Sequence, residues 1–93
     1  MLIKVSVNTQ FQLLPEDLQH FNPKPYYDTE IPNWWNVEKL RLKLLQIWNL
    51  SLRKYHVDFY REWFDKGKLN DDDEIEDGAT VFAVISIKFL FPG

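Results

Sequence analysis

The 93-residue chain contains no cysteine, a single methionine and only three glycines. Without cysteine there is no disulfide framework, no thiol nucleophile and no metal site built on sulfur. With so little glycine there is no phosphate cradle, and no G-x-S-x-G motif occurs. Long apolar runs are missing too. No segment reaches 18 uninterrupted apolar residues, and the first residues lack the basic-then-apolar order of a secretory leader. The expectation is a chain with no membrane span that works inside the cell, in cytoplasm or nucleus. A net charge of −3 leaves no basic excess, whereas phosphate backbones are bound by concentrated basic surface. Nucleic acid is therefore disfavoured as the default partner.

What is present is apolar and aromatic. Hydrophobic residues make up 45% and aromatic residues 16% of the chain, well above disordered composition, so residues 1–93 read as one domain that folds without a cofactor. A chain this short buries roughly 65% of the surface its unfolded form exposes, so the core is adequate and not generous. Charge is unevenly spread. Lys39, Arg41, Lys43, Arg53 and Lys54 stand against the single Glu38 over residues 38–54, whereas residues 70–77 carry six carboxylates and no cation. Such polarity suits a charged protein surface better than a polyanion.

Residues 2–8, LIKVSVN, alternate with period two and β-branched residues, which predicts a half-buried strand. Residues 9–35 are irregular. Pro15, Glu16 and Asp17 suit the first turn of a short helix, and three prolines between 23 and 32 predict a loop with one short edge strand around residues 26–31. Residues 36–50 form the one convincing helix, with Val37, Leu40, Leu44, Ile47 and Trp48 down one face, widened by Leu42 and Leu45. Asn33 or Asn36 is the expected cap. Such a stripe predicts a helix lying across a sheet, or less often one edge left over for a partner. Residues 55–64 and 79–91 read as strands. In the second, Val81, Ala83, Ile85, Ile87, Phe89 and Phe91 share one parity, and Phe82, Val84, Ser86, Lys88 and Leu90 the other.

The acidic stretch has three readings. As a calcium loop it fails: a register starting at Asp71 puts Ile75 and Glu76 where an oxygen ligand and glycine are needed, and one starting at Asp72 puts Asp77 at the glycine position. As a catalytic pair it lacks the desolvation that separates an acid from a base, and neither His20 nor His56 has a sequence-local partner. No metal, cofactor or catalytic residue is expected. As scaffolding it accounts for the most. Leu69 and Ile75 insert into the core, Asp71–Asp73 accept from free amides of a turn, and Gly78 launches the final strand.

The run GKLNDDDEIEDGATVFAV, residues 67–84, resembles the last third of ubiquitin-like domains, which carry a glycine turn, a core leucine, an acid-rich segment, an acid–glycine turn and a closing apolar strand. The helix NVEKLRLKLLQIW, residues 36–48, and the opening strand are similar to that family's single helix and first strand. The resemblance spans residues 1–8 and 36–87; the long excursion at 9–35 stands where the family has a tight hairpin. It implies an α+β, ubiquitin-like β-grasp: a mixed sheet of four or so strands on one main helix.

The resemblance further implies a non-catalytic module that binds another protein through the open sheet face. Phe82 and Val84 would be its centre, Trp63 an extension, and Arg41 and Lys43 steering charges. A second possibility is a modifier or carrier acting through the carboxylate of Gly93, although a single terminal glycine after Pro92 departs from the flexible Gly-Gly tail that role needs. A third is an assembly subunit of a ribonucleoprotein or secretion complex, with Arg41, Lys43, Arg53 and Lys54 touching RNA or an acidic neighbour.

Overall fold

Alternation, capping and turn chemistry each leave a physical imprint in the computed structural model of the chain, which describes residues 1–8, 12–62 and 66–88. The elements in chain order are β1 (Leu2–Val7), α1 (Pro15–Leu18), β2 (Tyr26–Glu30), α2 (Val37–Trp48), β3 (Tyr55–Glu62), β4 (Lys66–Lys68) and β5 (Thr80–Ile87). They make a small α+β domain whose described strands form one mixed sheet in the order β2-β1-β5-β3-β4. The sheet thus has five strands rather than four, because residues 66–68 pair with the end of β3 as a short outer strand. The central strand β5 runs parallel to its neighbour β1, with Lys4 opposite Thr80 and Val7 opposite Ala83; all other pairings among the described strands are antiparallel.

One parity of each long strand faces the core. Ile3, Val5 and Val7, Tyr55, Val57 and Phe59, and Val81, Ala83 and Ile85 are all buried, and α2 contributes Val37, Leu40, Leu44, Leu45 and Trp48 to the same cluster. The predicted helical stripe holds except at its edges. Ile47 and Leu42 are about half exposed, and Leu45 takes the inward place. Truncating Leu40 or Leu44 to alanine in such a site costs about 2–5 kcal/mol, because a cavity adds to the lost transfer energy.

The acidic stretch turns out to support the helix start. Asn36 caps α2, its side chain accepting from the Lys39 amide. Two further orphan donors of the first turn are satisfied from far along the chain: the Val37 amide donates to the Asp73 carbonyl and the Glu38 amide to the Asp71 carbonyl, each at 3.2 Å. The carboxylates therefore crowd the positive end of a helix, where negative charge is favoured. At the other end Asn49 adopts φ 55°, and the Leu50 amide donates back to Leu45, which closes the helix and turns Leu50 inward.

The stretch itself is held by its own backbone. Asn70 donates to the Asp73 carboxylate at 2.7 Å, Leu69 and Ile75 are buried, and Gly78 at φ 78° completes a turn in which Ala79 donates to Glu76. Leu2 donates to the Asp77 carboxylate and Gly78 donates to the Leu2 carbonyl, so the bend is tied to the first residue of β1.

The irregular excursion contains the helical turn and the edge strand that its sequence predicts. Phe21 and Tyr27 in its described part pack on the helix side of the sheet. Phe21 meets the Trp48 ring edge-on at 5.9 Å, and Trp48 Nε1 donates to the Tyr27 hydroxyl. Tyr55 anchors α1 from inside the core: its hydroxyl accepts from the Leu14 amide at 2.9 Å and donates to the buried Asp17 carboxylate at 2.5 Å. Burial, then the bond to Asp17, pushes the Tyr55 hydroxyl up from 10.0 to about 12, since the phenolate would lie in an apolar site beside a negative charge.

Candidate functional site

The sheet face opposite α2 is built by the second parity of the same strands. Across its middle the register aligns Tyr26, Ser6, Phe82, Tyr60 and Lys68; one step along, Val84 lies opposite Asp58. Phe82, Val84 and Tyr60 are half-buried, in contrast to the fully buried residues that alternate with them. Among the described residues both helices pack on the other side. The face has an apolar centre with a polar margin. Lys4 Nζ stands 4.9 Å from the Tyr26 ring centre at one edge, and Lys68 pairs loosely with Asp58 at 3.8 Å near the other. An apolar centre within a polar rim is the usual anatomy of a protein-binding patch.

The basic residues expected to steer a partner to this face lie elsewhere. Arg41 points from α2 into the fold, where Nε donates to the Val57 carbonyl at 2.7 Å and a terminal nitrogen pairs with Asp71 at 2.8 Å. Its side chain is 15% exposed, so it joins helix, strand and acidic bend instead of awaiting a ligand. Lys43 also sits on the helix layer, donating to the Glu30 carbonyl at 3.2 Å with its ammonium over the Trp35 ring. Phe82 and Val84 thus share one surface, while Arg41 and Lys43 belong to the opposite layer. Trp63 and Gly93 lie outside the described residues.

The aromatic residues of the excursion divide between the two sides of the sheet: Tyr26 lies on the face of Phe82 and Val84, whereas Phe21 and Tyr27 pack with Trp48 on the helix side. Trp34 and Trp35 meet edge to face at 6.4 Å beside the start of α2, and Lys39 lies over Trp34 as Lys43 lies over Trp35. That cluster was not singled out from the sequence, although a WW pair followed by lysines one helical turn apart is a legible signal.

Among the described residues no three His, Asp or Glu side chains are grouped to hold a metal ion. His20 lies 3.8 Å from Asp17, itself committed to Tyr55, and no described helix is long and apolar enough to cross a membrane. Comparison with protein-family models, curated proteins and solved structures gives no match for this chain.

Proposed function

We propose that this chain is a ubiquitin-like β-grasp domain that binds another protein through the open sheet face and performs no chemistry of its own. The architecture supports the first half of that reading. A mixed sheet lies against one main helix, its opening strand pairs centrally with its closing strand, and the acid–glycine bend delivers the latter. The observation that carries the second half is the placement of Phe82 and Val84 side by side along β5 on the face turned away from both described helices. Apolar side chains at the middle of such a face favour a partner that removes them from water, at about 25 cal/mol for each Å² covered.

The test uses two substitutions and one control. Phe82→Asp and Val84→Asp should each preserve the circular dichroism of the fold and abolish capture of the partner from the native cell. Asp72→Asn, exposed on the acidic bend and lining neither the sheet face nor the helix surface, should leave capture intact. Loss of folding in both face variants would show the face to be interior, and undiminished capture would move the interface elsewhere.

A further inference from the structure

A helix that lies across a sheet ordinarily presents polar residues to solvent. On the outward side of α2, however, Leu42 and Ile47 are 45% and 51% exposed, and Trp34 just before it is 67% exposed. Trp34, Trp35, Lys39, Leu42, Lys43 and Gln46 line one open groove of about 440 Å³. Lys39 Nζ stands 5.3 Å from the Trp34 ring centre, and Lys43 Nζ 5.5 Å from that of Trp35. The two lysines are one helical turn apart, so their ammonium groups lie along the same groove. No acidic side chain lines it, and neither lysine has a carboxylate within ion-pair distance among the described residues.

The geometry points to this groove as a second docking site, whose occupant is an acidic peptide segment of a partner protein carrying a large apolar side chain beside its carboxylates. The apolar side chain packs on Trp34 and Leu42. The carboxylates pair with Lys39 and Lys43, whose ammonium groups are already partly shielded by indole faces and so interact more strongly than fully hydrated ones. Carboxylates one turn apart on a helix, or two residues apart on an extended strand, match the spacing of the lysines.

Two other occupants fit less well. A small molecule in so open a groove would stay largely wet, whereas small-ligand sites bury roughly 70–90% of their ligand. Single-stranded RNA uses the same stacking and cationic contacts. It would, however, extend past two lysines onto a chain of net charge −3 that repels it. A short acidic segment ends where the cations end.

The experiment selects short random peptides displayed on phage against the immobilised full chain, then measures the recovered peptides by fluorescence anisotropy beside labelled oligo-uridine. The peptides should be enriched in Asp and Glu flanking Leu, Phe or Trp, and oligo-uridine should not saturate. Lys39→Glu and Lys43→Glu should each weaken peptide binding about five- to tenfold, and Trp34→Ala about tenfold or more. Val84→Asp, on the opposite face, should change nothing, which keeps this site separable from the sheet-face reading. Lys39→Ala removes charge without reversing it and serves if the reversal disturbs α2. The proposal is overturned by peptides with no acidic bias, by binding indifferent to the lysine and tryptophan variants, by loss in Val84→Asp, or by oligo-uridine binding more tightly than peptide.

Discussion

Tyr55 shows how one side chain ties the irregular part of the chain to the regular part. Tyr55→Phe removes a donor from buried Asp17 and an acceptor from Leu14, so it should cost about 1–3 kcal/mol in urea unfolding at neutral pH. The raised folded-state value also sets an alkaline limit. The Tyr55 contribution is complete below pH 10 and is lost as pH rises towards about 12, where the folded state resists an ionisation that the unfolded chain accepts. Stability should therefore decline over that window in the parent and lose this component of the decline in Tyr55→Phe, a difference read by unfolding titrations across pH 9–12. Arg41 tests a second residue-scale claim. Arg41→Ala strands the Val57 carbonyl and frees Asp71, and should lower stability by about 1–3 kcal/mol. Asp71→Asn, at an exposed carboxylate, should cost less than 1 kcal/mol by the same assay. Equal losses would mean that the ion pair outweighs the bond to the strand.

At the scale of elements, α2 is begun by residues from two distant places. Asn36→Ala should destabilise the domain by about 1 kcal/mol, seen as a lower midpoint in thermal denaturation. The bend that supplies the other acceptors should ignore calcium, because Asp71, Asp73 and Asp77 already receive Arg41, Asn70 and Leu2. Thermal midpoints in millimolar calcium and in EDTA should coincide, and a rise with calcium would refute the scaffolding reading. Much of this was legible. Alternation located β1, β3 and β5 and sorted the residues of each into two sides without deciding which side of β3 is buried, and turn chemistry identified Leu69, Ile75 and Gly78. The rotation of α2 was not legible, since Leu42, Leu45 and Ile47 make both edges of its stripe apolar and only the sheet decides which turns in. Arg41 misled for a related reason: charge patterning counts cations but does not see a carbonyl within reach.

For the whole molecule, the sheet separates two surfaces: Phe82, Val84 and Tyr60 on one side, the tryptophan–lysine groove beside the helix on the other. For the first, alternation put Phe82 and Val84 on one side of β5, and only the ubiquitin-like resemblance implied that this side faces outward; Tyr60 was not named. The second required knowing where the chain after β2 goes, which local pattern does not encode. Two sites on opposite layers predict independent variants, each removing one partner and sparing the other, as a double mutant compared with its singles in binding assays would reveal. The parallel seam carries a consequence of a different kind. β1 is synthesised well before the strand it needs, with Thr80 opposite Lys4. Until then Ile3, Val5 and Val7 have no lasting shelter, and ring closure over almost the entire chain must precede any reward. Assembly of the domain is thus slower than for a helical bundle of equal length, and β1 stays open to chaperone capture or aggregation until β5 has been made.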